Sequence, residues 1–189
     1  MRAIVAPPDG GVSRADSPTI SVLVSAYQAA DSIPETLASL LAQTVPPHEV
    51  IVCDDGSTDD LDGALASFRD RIRLIRKPNG GGASALNAAA AAATGEFVAI
   101  CDSDDVYEPE RIEALTELGR RRADLDILVT DALLVHDDVV VGRFNRENPF
   151  PADDQRRGIL ERCFLCAPAA GFDEFTALVE RCGFLAGTG

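Results

Sequence analysis

The chain has 189 residues, enough for one domain with a real core, and 46% of them are hydrophobic. Seventeen Lys and Arg stand against 31 Asp and Glu, a net charge of −14 that argues against a nucleic-acid groove and against unaided adsorption to an anionic membrane. No apolar run approaches the roughly 20 residues that cross a bilayer, and residues 1–8 are too short an apolar stretch for a signal peptide, so a cytoplasmic setting is expected, any membrane association being made through partners.

Residues 1–17, rich in Gly, Ser and Asp toward their end, read as a mobile N-terminal tail. Residues 19–25 form a β-rich run of the kind buried on both faces. Ser32-Ile33-Pro34-Glu35 has the pattern of a capping box, and Ile33, Leu37, Leu40 and Leu41 share one face of the helix it opens, which Pro46-Pro47 should stop. Residues 49–53 predict a second strand, and Leu61, Leu65 and Phe68 a short helix. Ile72, Leu74 and Ile75 predict a third strand, closed by Pro78-Asn79-Gly80-Gly81-Gly82. Residues 83–93 are almost all Ala, a strong helix former with little bulk, suited to packing closely on a sheet. A fourth strand at 97–101, a helix from Pro109 through Leu118 and a return to the sheet at 125–130 complete the pattern. Strands and helices alternating with short loops predict a Rossmann-like, three-layer α/β domain with a mostly parallel central sheet. Beyond Val135 the pattern weakens to a hairpin through His136-Asp137-Asp138 and a helical stretch at 158–165. The predicted organisation is therefore a tail at 1–17, a binding core at 18–135 and a partial second region at 136–189.

Two acidic loops follow apolar strands. Asp102-Ser103-Asp104-Asp105 sets three carboxylates within four residues, and their mutual repulsion is relieved if a divalent cation sits among them. Hard oxygen ligands with room for water and phosphate suit Mg2+ or Mn2+. The other loop, Asp54-Asp55-Gly56-Ser57-Thr58-Asp59-Asp60, can be read in two ways: as a turn and helix cap, since Asp, Gly and Ser favour both, or as a binding loop in which Asp55 accepts a base N–H. Tyr27, just past the first strand, is either a surface aromatic or a platform for a planar base. Asn79-Gly80-Gly81-Gly82 lets backbone amides approach a diphosphate, although it lacks P-loop spacing and also suits a plain flexible loop. Asn87 is the one amide side chain in the Ala-rich helix, facing either solvent or that loop. The odd count of five cysteines disfavours a disulfide framework. Cys53 and Cys101 read as buried small residues. Cys163-x-x-Cys166 would need two more ligands, from Cys182, His48 or His136, to close a zinc site.

Together, Val22-Leu23-Val24-Ser25-Ala26-Tyr27, Asp54-Asp55-Gly56-Ser57-Thr58-Asp59, Asn79-Gly80-Gly81 with Asn87, and Gly95-Glu96-Phe97 leading into Asp102-Ser103-Asp104-Asp105 resemble a family-2 glycosyltransferase of the inverting, GT-A type. The resemblance implies sugar transfer from a nucleoside diphosphate, UDP being favoured, to a hydroxyl acceptor, with metal assistance. It implies donor binding by Ser25, Tyr27, Asp55, Asn79, Gly80, Gly81, Asn87 and Asp102. It also makes Asp102 and Asp104 the D-x-D pair, with Asp104 the direct metal ligand. The acceptor, whether saccharide, lipid or protein, is not legible.

The general base of this family comes from a Glu-Asp pair after a Gly-Phe-Asp-Glu segment. Here Gly171-Phe172-Asp173-Glu174 is followed by Val179-Glu180-Arg181, so Arg181 stands where the base is expected. Glu180 and Asp173 are the substitutes at hand. The carboxy-terminal portion is expected to be truncated or altered, and the alternative reading is a non-catalytic nucleotide-sugar-binding remnant. A receiver-type domain or an Asp-nucleophile phosphotransferase needs a later Lys, and none follows Lys77.

Overall fold

The structure, a computed structural model, describes residues 17–122, 127–128, 130–137, 139–147 and 169–171. The tail at 1–16, the helical stretch at 158–165, Cys163, Cys166, Cys182, Asp173, Glu180 and Arg181 lie outside the described residues.

Strands form where the apolar runs lie: β1 (Ile20–Ala26), β2 (Glu49–Asp54), β3 (Arg73–Arg76) and β4 (Phe97–Asp102). The helices between them are α1 (Ile33–Leu41), α2 (Leu61–Leu65), continued by a 3-10 turn over Ala66–Arg71, and α3 (Gly82–Ala90). After β4 come α4 (Arg111–Arg121), β5 (Ile127–Leu128), the hairpin of β6 (Leu133–His136) and β7 (Val139–Arg143), the single turn α5 (Phe144–Glu147) and β8 (Ala169–Gly171). Among the described residues no helix is long and apolar enough to cross a membrane.

The main sheet runs β3-β2-β1-β4-β8-β5. Its first four strands are parallel, and β8 lies antiparallel to both β4 and β5. The sheet is mostly parallel, as expected. Within the predicted return at 125–130 the structure describes β5 over Ile127–Leu128, which joins β4 through the intervening β8.

Alternation along each strand divides the core into two layers. Val22 and Val24 of β1, with Val50, Val52, Phe97 and Cys101, pack on Ile33, Leu37 and Leu40 of α1 and Ile112 and Leu115 of α4. Leu23, Ile51, Cys53 and Val98 face the other way, onto Ala85, Ala89 and Ala90 of α3. Methyl side chains let α3 lie close to the sheet, so its first turn sits near the C-terminal strand edge. The two described cysteines are both free and buried, on opposite faces, and burial pushes the Cys101 thiol up to about 12.

Two local expectations are corrected. Ser32 is the N-cap of α1, but its own backbone is helical (φ −99°, ψ −38°) and its side chain makes no capping bond. Its hydroxyl instead reaches back 3.5 Å to the Ala29 carbonyl, so no capping box forms. The helix also ends at Leu41, before the prolines. Gln43 is buried there: it donates to the Ser39 and Glu108 carbonyls (3.2 and 2.9 Å) and accepts from the Ile112 amide (3.0 Å). A tertiary clamp onto the segment after β4, rather than proline chemistry, stops α1.

At the opposite, N-terminal edge of the sheet, Glu49 accepts from Ser21 Oγ (2.8 Å) and from Thr94 N and Oγ1 (both 2.7 Å). Burial alone would raise its pKa, but the bonds from Thr94 and Ser21 bring it below the usual value. A lowered acid contributes stability above its unfolded pKa and loses it as pH falls through the folded one. Glu49→Gln is therefore expected to cost about 1 kcal/mol at neutral pH. Urea titrations of the two proteins should converge as pH falls below the folded pKa, and a gap independent of pH would contradict this account.

Candidate functional site

Parallel register brings the acidic loops together. Ser25 lies beside Cys53 on one side and Asp102 on the other, and Ala26 beside Asp54. Because the chain leaves β1 toward β2 and β3 and later returns to place β4 on its other flank, this edge is the switch point where open α/β sheets bind ligands. A crevice of about 260 Å³ opens there, lined by Ser25, Ala26, Tyr27, Asp55, Gly82 of α3, Asp102, Ser103 and Asp104.

The loop after β2 is internally satisfied. Asp54 accepts from the Ser57 amide (2.8 Å) and lies 3.8 Å from Arg76 Nε. Asp59 accepts from the Ala30 amide (2.8 Å), and Asp60 caps α2 through the Gly63 amide (3.0 Å). For Asp54 and Asp60 the turn-and-cap reading holds, whereas Asp59 ties the loop to the segment after β1. Asp55 differs. It is 2% exposed, paired with Lys77, and accepts from the amides of Gly80 (3.0 Å) and Gly81 (2.7 Å). Burial would raise its pKa, but the Lys77 ammonium and the two amides outweigh burial and hold it below the usual carboxylate range. The aspartate thus fixes the glycine loop before α3. The fit is close: Gly56, at φ +77°, would place a side-chain carbon 2.8 Å from the Asn79 nitrogen.

The loop after β4 is the reverse. Among the described residues no Lys or Arg forms an ion pair with Asp102 or Asp104. Desolvation, then the Asp104 charge, raises the pKa of Asp102; desolvation, then Asp102 and Asp104, raises that of Asp105. The loop is folded so that two strand-end carboxylates face one crevice short of positive charge. Tyr107 holds it there. Its ring is buried, its hydroxyl donates to the Ile100 carbonyl (2.8 Å), its amide donates to Ser39 Oγ (3.1 Å), and the Arg111 guanidinium lies 4.1 Å from the ring centroid. Among the described residues no three His, Cys, Asp or Glu side chains converge into a metal cage. Asp102 and Asp104 offer hard oxygen atoms of the kind that Mg2+ and Mn2+ accept.

Of the residues singled out in the sequence, Ser25, Tyr27, Asp55, Asp102 and Asp104 line the crevice together. Asn79, Gly80 and Gly81 flank it, with two of the three amides already given to Asp55. Asn87 lies exposed further along α3, five residues beyond Gly82 and outside the lining. Sequence reasoning missed Lys77 as the partner of Asp55, Gln43 and Tyr107 as anchors of the segment after β4, and Gln28. Single polar or aromatic residues in loops carry no periodic signal. Only the scarcity of Lys, a single one in 189 residues, hinted at a role for Lys77.

A sequence profile described as Glycosyl transferase family 2 matches residues 21–173. Chondroitin synthase of Pasteurella multocida is 42% identical over 99 residues, 51% of this chain and 10% of that protein. An uncharacterized glycosyltransferase of a Nostoc species is 31% identical over 146 residues, 75% of this chain and 45% of that one. The chain thus spans less than half the length of these relatives. Among solved structures, Staphylococcus aureus TarS 1–349 in complex with UDP is 32% identical, with a TM-score of 0.54, over 59% of this chain and 34% of that one. A further crystal structure of TarS 1–349 superimposes over 87% of this chain and 49% of that one, with a TM-score of 0.66 and 24% identity, which bears on the fold alone.

Proposed function

The chain belongs to glycosyl transferase family 2 and has a GT-A type α/β fold, and from this premise we propose that it binds a nucleoside-diphosphate sugar in the crevice and transfers the sugar to a hydroxyl acceptor. The observation that carries the reading is the meeting of Tyr27, Asp55, Asp102 and Asp104 in one crevice, with the last two unpaired by any cation among the described residues. In this reading residues 18–135 are the donor-binding core and 136–189 an acceptor-side region.

The base lies against the Tyr27 ring, 54% exposed. Asp55 presents whatever acceptor capacity remains after Lys77, Gly80 and Gly81 to a base N–H. Ser25 and Asp102 lie beside the ribose and diphosphate, with the 79–81 loop flanking them. Asp104, with Asp102, holds a divalent cation. Such a cation, when bound, neutralises the negative charge that develops on the departing nucleoside diphosphate. The similarity to a TarS structure in complex with UDP favours uracil as the base. The acceptor's proton goes to a carboxylate of the second region, Glu180 or Asp173. The cytoplasmic setting expected from the sequence is part of this proposal.

Thermal-shift and calorimetric titrations with UDP, with and without manganese, test the binding half. Saturable, manganese-dependent binding is expected, and failure to bind any nucleoside diphosphate would refute it. A transfer or donor-hydrolysis assay tests turnover. Binding without turnover would favour the non-catalytic remnant, the reading supported by Arg181 in the base's expected place.

A further inference from the structure

Gln28 immediately follows Tyr27 and occupies the left-handed region, φ 54°, which a side chain larger than Gly rarely adopts. Such strain persists only where the surroundings over-determine it, and it concentrates at functional loops. Here the surroundings are the loop that carries Asp55. The Gln28 amide donates to Ser57 Oγ (3.1 Å), and its Nε2 donates to Thr58 Oγ1 (3.0 Å). Its Oε1 accepts from the amides of Thr58 (2.7 Å) and Asp59 (3.2 Å). These bonds all cross from the segment after β1 to the segment after β2. The backbone turn at Gln28 leaves Tyr27 projecting into the crevice, while its side chain fixes the Asp55 loop on the facing wall.

We propose that Gln28 is a positioning residue: it sets the separation between the Tyr27 ring and the Asp55 wall, and so determines which nucleobase the crevice accepts. The inference rests on the nucleotide-binding reading above. Stacking on Tyr27 tolerates any base, because every base has a π-face. Discrimination comes from hydrogen-bonding groups held at a fixed distance from that face. In this molecule the Asp55 amide donates to the Ala26 carbonyl (2.9 Å) and the Ala30 amide to Asp59 (2.8 Å), and the crossing bonds of Gln28, between these two ties, complete the fixing of the Tyr27 side against the Asp55 loop.

Gln28→Gly separates this role from simple loop stapling. Glycine adopts positive φ without strain, which offsets part of the lost bonding, so the thermal midpoint should stay within about 4 °C of wild type. Calorimetry with UDP, CDP, ADP and GDP in manganese should show the preferred diphosphate bound roughly tenfold more weakly, a difference typical of losing a few hydrogen bonds. Its margin over the other three should shrink toward unity. A wild type that binds none of the four removes the nucleotide-binding reading and this inference with it. A wild type that binds selectively, beside a Gln28→Gly variant with the same selectivity, overturns this inference alone. So does a uniform loss across all four, because a merely structural staple would weaken every base in parallel.

Discussion

Asp104→Asn is expected to weaken manganese-dependent binding of a nucleoside diphosphate by more than about a hundredfold while leaving the fold intact. Loss of a residue that merely orients a metal ligand already costs about 10–100-fold in affinity, and a direct ligand is worth more. An amide keeps the side chain's shape but offers a hard cation a neutral, poorer oxygen. The unliganded protein should be no less stable than wild type. Asp104 contributes to raising the pKa of Asp102, so its neutralisation lets that carboxyl move back toward its ordinary value. Calorimetry in manganese, paired with urea denaturation in its absence, separates the two effects. Equal affinity of variant and wild type would rule out Asp104 as a ligand. Asp105→Asn is the internal comparison: Asp105 is in the same acidic run but does not line the crevice, so its replacement should cost much less.

Lys77→Met should destabilise the chain by about 3–5 kcal/mol at neutral pH, the range found when one partner of a buried ion pair is removed. Asp55 is 2% exposed and the Lys77 side chain 20% exposed, so water cannot screen the abandoned carboxylate. The sign with pH follows from the lowered pKa of Asp55. Its stabilising contribution is present above the unfolded value and is lost as pH falls through the folded one. The gap between wild type and variant should therefore be widest near neutrality and narrow in acid, where Asp55 is neutral in both. Lys77→Met combined with Asp55→Asn should recover part of the loss, because no unpaired charge is left buried. Urea titrations of the single and double variants measure this directly, and additive losses would contradict a coupled pair. Nucleotide affinity should fall in the single variant as well, since Asp55 then holds the Gly80 and Gly81 amides without its cation.

The order of strands and helices through α4 was legible because it rests on local chemistry: apolar runs make buried strands, and an Ala run makes a helix that can approach them. The placement of Tyr27, Asp55, Asp102 and Asp104 at one edge was equally legible, since residues just beyond parallel strands must emerge on the same side. What each aspartate does was not. Asp54, Asp55, Asp59 and Asp60 look alike in sequence, yet a turn amide, a lysine, the β1–α1 loop and a helix start take one each. Those partners are selected by which loops the sheet order brings together, and Lys77 lies 22 residues beyond Asp55. Likewise Gln43 and Tyr107 join segments 65 and 68 residues apart, and β8 enters the sheet between β4 and β5 from the far end of the chain. The sequence by itself determined that residues just beyond β1, β2 and β4 reach the crevice, because that depends on short-range patterning, whereas it did not separate them from Asn87, which lies outside the lining. Only the tertiary structure decided which of their charges are already neutralised and which remain for a ligand, because a carboxylate's role is set by the groups that fold against it.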